Sequence, residues 1–307
     1  MLTYTTEEYS TFGKCLKLSN GHVYVYVTLE FGPRVISYGL EGHKNMLFED
    51  SNRSFSVEGT AMDRHYYPGA RWYLYGGHRL AVCPELVPQT YYPDNNPVEY
   101  ITLCSTFQFT TKEPENGIEK SMTISMDETG PGLSLHHSVK NISNKSLVLA
   151  IWPITAVTPG GVAYACYGID SHLPGMPNRD ICLWPATDIR DKRLDIGNHV
   201  VILRHDPLAT SAVKLGLTSQ SGVCGYQVNG CLFLKKALYE PGEHVLDMGA
   251  MLELYSASHC VEMESLSPTY TLEPGETCKH TELWTLKAHE LLPEVCNETE
   301  IVSLLDW

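Results

Sequence analysis

Apolar and polar residues alternate with period two along most of this chain. From His22 to Phe31, Val23, Val25, Val27, Leu29 and Phe31 fall on one side, and His22, Tyr24, Tyr26, Thr28 and Glu30 on the other. Ile101, Leu103, Phe107 and Phe109 repeat the pattern, as do Met122, Ile124 and Met126 against Ser121, Thr123 and Ser125. This period predicts half-buried strands. Leu147 to Ile151 is apolar throughout and predicts a strand covered on both faces.

Turn signals recur at short intervals: Ser19-Asn20-Gly21, Glu115-Asn116-Gly117, Gly130-Pro131-Gly132, Pro159-Gly160-Gly161, Asn229-Gly230, Pro241-Gly242 and Pro274-Gly275. Many strands with frequent turns predict a sandwich or barrel, not alternating βα units. Helix is scarce. The best stretch is Glu298 to Leu305, preceded by Asn297 with Glu300 three residues on, a capping-box arrangement. The charge run Asp188 to Asp195 predicts a solvated loop. With no linker or internal repeat, residues 1–307 are expected to form a single all-β domain. About sixteen to eighteen strands are too many for one open sheet and suit two large packed ones.

Charge and cysteine content narrow the function classes. Acidic residues (36) outnumber basic ones (22), for a formal charge of −14, which argues against nucleic acid or an anionic membrane as partner. No apolar run approaches the roughly 18 residues needed to span a bilayer. Met1 to Glu8 lacks a basic, apolar-cored leader, so a cytoplasmic location is expected. The ten cysteines form no C-x-x-C pair. Several sit in apolar runs (Cys104, Cys166, Cys231, Cys260), which favours reduced, buried thiols over a disulfide framework. The sequons at Asn141, Asn144 and Asn297 then carry no weight.

The densest chemistry lies between Tyr75 and Pro97, where Gly76-Gly77-His78-Arg79 leads to Pro84-Glu85 and then Tyr91-Tyr92-Pro93-Asp94. Glycines permit close backbone approach to a ligand, and prolines fix loops. On a strand, His78 shares a face with Leu80 and Val82, and Arg79 with Ala81, Cys83 and Glu85. Two readings stand for this segment: a site for a small polar ligand, or an Arg79–Glu85 ion pair beside a hydrogen-bonded core histidine.

A second cluster is Met251 to Ser256 followed by Cys260 to Ser265. Glu262 and Glu264 share one face, with Val261 and Met263 on the other. On an inward face they would repel and one pKa would rise, as a general acid or base near neutrality requires. On an outward face they are surface charges. Lys214 and Lys235 sit among apolar neighbours, either as buried ligand contacts or as snorkelling side chains. Trp72 and Trp152 are platforms for a sugar ring or core residues. Nucleotide, P-loop, nucleophile-elbow, zincin and EF-hand patterns are absent. His136-His137 and His259-Cys260 diverge on a strand, so no metal site and no cofactor are expected. Asp94 and Glu99 are the nearest acidic pair to a divalent-ion site.

In these residues the chain resembles the galactose mutarotase-like (aldose 1-epimerase-like) superfamily. The resemblance rests on Gly76-Gly77-His78-Arg79-Leu80 with Pro84-Glu85, on the Lys140–Ser146 turn and on the apolar strand that follows it. Cys260-Val261-Glu262, Leu272-Glu273-Pro274-Gly275-Glu276, Gly32-Pro33-Arg34-Val35 and Asn45 extend it over nearly the whole chain. It implies an antiparallel supersandwich with few short helices and a sugar-sized cleft on one concave sheet. It also implies a glutamate base at Glu262, with Glu264 beside it, and a histidine acid at His78. The sequence departs from working epimerases at Trp152-Pro153, where a histidine is common.

The expectation is a carbohydrate-active protein: an epimerase or mutarotase-like isomerase of a free sugar or sugar acid. Arg34, Arg79 and Lys235 would hold hydroxyls or a carboxylate, Glu85 would bind substrate, and Trp72 or Trp152 would stack on the ring. The alternatives are a non-catalytic carbohydrate-binding domain, or a lyase or accessory subunit acting on glycosides.

Overall fold

A computed structural model of the chain describes residues 2–168, 178–239, 246–288 and 298–305. Two antiparallel sheets dominate, of eleven and ten strands. The first runs from Thr3–Glu8 at one edge, through His78–Cys83, Leu147–Val157, Cys260–Ser265 and Leu252–Ala257, to Val213–Leu217 and Ile181–Leu183. The second centres on Cys231–Ala237, Thr277–Ala288 and Leu133–Asn141. Their facing sides enclose one continuous core that includes Val25, Phe107, Ile124, Leu215, Phe233, Leu254, Met263 and Trp284. The expected all-β architecture of two large packed sheets is the one observed.

Period-two positions fill that core as the pattern predicts. Val23, Val25 and Val27 are buried, as are Met122, Ile124 and Met126. The first alternation stops early, because the Val23–Thr28 strand ends before Leu29 and Phe31. Phe31 instead packs with Phe12 and Tyr75 in a smaller cluster. Ile101 and Leu103 are exposed while Phe107 and Phe109 are buried. The hairpin pairs Leu103 with Thr106 and Ile101 with Gln108, so the two-residue turn reverses the parity of odd positions. Sequence alternation read straight through a turn of even length therefore puts two residues on the wrong face.

Helices are few and short. Glu298–Leu304 is helical; Asn297, the expected capping residue, lies outside the described residues. Asp188 and Arg190 pair in an exposed turn, but the charge run ends in a short strand at Leu194–Ile196. The Asn-rich turn is structural: buried Asn141 donates to the carbonyl oxygens of Lys145 and Leu272, both at 2.8 Å. None of the cysteines among the described residues is bridged, and most are buried. No helix there is long and apolar enough to cross a membrane.

Gly76 and Gly77 approach backbone, not ligand. Both have positive φ, at 98° and 66°. A Cβ on Gly76 would sit 2.1 Å from the Phe48 carbonyl oxygen, and one on Gly77 2.3 Å from that of Val35. Gly76→Ala is expected to lower stability by about 2–3 kcal/mol through clash and strained φ together. Gly21, also at positive φ but with open space around it, provides the control. If Gly76→Ala lowers the melting temperature no more than Gly21→Ala does, the close approach carries no energy.

Candidate functional site

The candidate site lies on the outer face of the eleven-stranded sheet. Antiparallel register sets Glu264 opposite Ile154 and Glu253, and Glu262 opposite Ala156 and Tyr255. Arg79 pairs with Ile154, and Lys214 with Tyr255. Parity then projects Arg79, Trp152, Lys214, Glu253, Glu262 and Glu264 to the same side. The segments around Phe55, Trp72 and Tyr91 cover this side and leave a cleft of about 430 Å³.

Two charge assemblies line the floor. Arg79 Nη1 donates to Glu262 Oε1 at 3.0 Å, and both side chains are 13% exposed. The same guanidinium lies 5.4 Å from the Trp72 ring. Lys214 Nζ bridges Glu253 at 2.8 Å and Glu264 at 3.0 Å. Its ammonium stands 4.7 Å from the Trp152 ring and 4.8 Å from that of Trp184. Trp152 Nε1 donates to Glu264 Oε2 at 2.7 Å.

These contacts separate the three carboxyls. Burial raises Glu262 above the usual carboxylate range, against the pull of Arg79. Burial and the neighbouring Glu264 raise Glu253 well above it, only partly offset by Lys214. Burial also disfavours charge on Glu264, but Lys214 and the hydrogen bonds from Glu253, Lys214 and Trp152 outweigh it and hold that group low. Glu253 thus favours its neutral form and Glu264 its ionised one, with Lys214 bridging the two. Carboxyls pushed apart in this way can divide acid and base roles.

The structure separates residues that the sequence reading brought together. His78 faces the core and is fully buried. Its Nδ1 lies 2.9 Å from Thr155 Oγ1 and its Nε2 3.3 Å from His137 Nε2. It shares a strand with Arg79, and consecutive strand residues point to opposite faces. His78 therefore cannot reach a ring held against Glu262 or Glu264, and the expected imidazole–carboxylate pair does not assemble.

Lys235 is also in the core, donating to Thr155 Oγ1 at 3.1 Å and to the Met263 carbonyl at 3.0 Å, and pairing with Glu282 at 2.8 Å. It is no ligand contact. Arg79 pairs with Glu262, not with Glu85, whose carboxylate accepts from Tyr91 at the exposed rim of the cleft. Arg34 is buried outside the cleft and bound to Asp94 at 2.9 Å. That guanidinium already occupies the Asp94 carboxylate that a divalent ion would need, and Glu99 is exposed on an edge strand.

Trp72, Trp152, Arg79, Glu85, Glu262 and Glu264 do line one cleft. Glu253 was missed as a site residue. The signal for it was present, since a hairpin turn at Ser258-His259 pairs Ala257 with Cys260 and so sets Glu253 against Glu264. Tyr255 follows from the same register. Trp184, by contrast, comes from a stretch with no periodic pattern. His259 is the imidazole of the cleft among the described residues; it stacks on Phe55 at 3.9 Å between centroids.

One group of possible metal donors converges among the described residues. His78, His137 and Glu282 place ligand atoms within 4.8 Å of one another in the core. Lys235 already neutralises Glu282 there, so a divalent ion would add uncompensated charge to a dry interior. The cluster is better explained as a polar network balanced by its own lysine.

No family model and no curated protein matches this chain. Solved structures do. A TPR-domain containing protein from Parabacteroides distasonis aligns with a TM-score of 0.61 at 15% identity, covering 93% of this chain. The chain spans only 50% of that protein's length. A galactose mutarotase-like protein from Lactobacillus casei gives 0.56 at 13% identity, covering 89% of this chain and 100% of its own. A galactose mutarotase related enzyme from Lactobacillus acidophilus gives 0.50 at 12%, covering 91% and 100%. The chain has the galactose mutarotase-like fold. At these identities the likeness is one of fold alone.

Proposed function

We propose that this chain binds a free, neutral sugar in the outer cleft and isomerises it at the anomeric carbon, with Glu262 as the proton-handling group. The observation that carries the reading is the cleft floor. Glu262–Arg79 and Glu253–Lys214–Glu264 lie side by side there, flanked by Trp72 and Trp152. A volume of about 430 Å³ falls within the 300–1,000 Å³ typical of small-molecule sites. Indole faces offer stacking surfaces, and the charged pairs offer donors and acceptors to hydroxyls.

Charge supports a neutral ligand over a sugar acid. Glu85, Glu262 and Glu264 line the cleft against the cations Arg79 and Lys214, and each cation already serves a carboxylate. An incoming carboxylate or phosphate would meet repulsion without a free partner. In the proposed reaction Glu262 takes the anomeric hydroxyl proton as the C1–O5 bond breaks. O5 takes a proton from solvent while a Lys214 N–H steadies it. Rotation about C1–C2 and the reverse transfers close the other anomer. Two of the three Lys214 donors serve carboxylates, which leaves one for the ring oxygen.

The rival reading is a binding domain without turnover. It is favoured by one observation: among the described residues no imidazole hydrogen-bonds the cleft carboxylates, and His259 is held on Phe55. Saturation-exchange NMR between anomers, run with a panel of neutral aldoses, separates the two. The wild type is expected to accelerate exchange, and Glu262→Gln to slow it by about 100-fold or more, the usual contribution of a general base. A ligand-induced rise in melting temperature without exchange supports the binding domain. No rise and no exchange for any sugar defeats both readings.

A further inference from the structure

A second cavity, of about 20 Å³, adjoins the cleft and shares Trp72, Arg79 and Thr90 with it. It lies where the His78–Cys83 strand meets the Thr106–Glu113 and Ile118–Met126 strands of the opposite sheet. Its wall carries three cations, Arg34, Arg79 and Lys120, against one carboxylate, Asp94. The other two acids that serve these cations, Glu262 and Glu113, do not line it. The balance is the reverse of the cleft's, where carboxylates outnumber cations.

Arg34 supplies the second observation. Its side chain is 2% exposed, and its Nη2 is taken by Asp94 and the Tyr73 carbonyl. Its Nε finds no acceptor among the described residues. A buried guanidinium N–H left without a partner is costly, and a guanidinium cannot escape by losing its proton. The hydroxyls of Thr90, Thr111 and Ser121 complete the wall. The space accommodates about one water-sized particle, which is too little for a polyatomic oxyanion.

We propose that this cavity is a binding site for a single monatomic anion of the chloride class, held by Arg34, Arg79 and Lys120. A water molecule would satisfy the stray N–H; a small anion would satisfy it as well and would face more cations than acids on this wall, since Glu262 and Glu113 pair with Arg79 and Lys120 from outside it. The ion shares Arg79 with Glu262, so its occupancy is tied to the cleft without depending on what the cleft binds.

The test uses the full chain in gluconate buffer of fixed ionic strength, titrated with sodium chloride, alongside crystals soaked in sodium bromide. The wild type is expected to broaden the chlorine NMR line saturably and to show a bromide anomalous peak in the cavity. Thr111→Ile keeps a β-branched strand residue while filling the space, and should weaken the saturable broadening about tenfold or more. Arg34→Gln should do the same; if it does not fold, Thr111→Ile decides alone. Water in place of bromide, or equal broadening by wild type and Thr111→Ile, overturns the proposal.

Discussion

Lys235→Met is expected to lower the unfolding free energy by about 3–5 kcal/mol, the usual cost of removing one partner from a buried ion pair. The ammonium is fully buried between the sheets. All three of its donors are used: Glu282 at 2.8 Å, the Met263 carbonyl at 3.0 Å and Thr155 Oγ1 at 3.1 Å. Met would fill much the same volume, so the loss reports charge more than cavity. What remains is the Glu282 carboxylate in a dry core, held by Ser265 at 2.6 Å and Trp284 Nε1 at 3.0 Å.

Urea midpoints measure the effect, and the double variant Lys235→Met/Glu282→Gln should recover a large part of it, since the stranded charge is then gone. A single-variant loss below about 1 kcal/mol, within the range of exposed pairs, would show that the core pair is no stronger than a surface one. The pair also bears on the cleft. Met263 lies between Glu262 and Glu264, and its carbonyl is anchored by Lys235 from the opposite face of the sheet.

Stability should also fall steeply between about pH 6 and pH 4, by about 1.4 kcal/mol per pH unit for each histidine that must charge on unfolding. Among the described residues His78 and His280 are the most strongly affected, and His136, His205 and His259, lowered by partial burial, add in the same direction. Burial pushes His280 down to about 3 and His78 well below its ordinary value, in both cases against the attraction of Glu282. In the unfolded chain each titrates near 6.5. Below that pH the unfolded state binds protons that the folded state refuses, so acid favours unfolding. The contribution is absent above about pH 7 and grows until pH reaches the depressed folded values.

Glu282 adds a loss of the same sign at lower pH. Its folded pKa lies well below the carboxylate range because Lys235 and the nearby histidines outweigh its burial. That stability is complete above the unfolded carboxylate pKa and is lost as pH falls towards the folded one. Urea midpoints at pH 7, 6 and 5 test the histidine part. His280→Gln, which can still reach Ser265, should make the slope measurably shallower. A midpoint that does not change from pH 7 to pH 5 would mean that these imidazoles are not held neutral in the fold.

Much of the site is legible in the sequence. The shared face of Glu262 and Glu264, and the grouping of Arg79 with Ala81 and Cys83, follow from period two and hold. The pairing of Glu253 with Glu264 was also within reach, because a tight hairpin turn fixes register arithmetically. The roles of Arg34, Lys235 and Gly76 were not legible. An arginine on a core cavity, a lysine on a buried glutamate and a glycine pressed against Phe48 each depend on strands distant in sequence, so no local pattern marks them.

The chain's alternation by itself determined that this is an antiparallel β protein, and it settled which side chains travel together on each strand. Tertiary packing alone decided which of a strand's two faces would be interior. In His78–Cys83, Leu80 and Val82 on one side and Ala81 and Cys83 on the other are equally fit for burial, so nothing local tells His78 from Arg79. Only when the second sheet covers one side does His78 become a neutral core residue and Arg79 the partner of Glu262. Parity is fixed by bond geometry between neighbours, whereas inside and outside depend on strands far away along the chain.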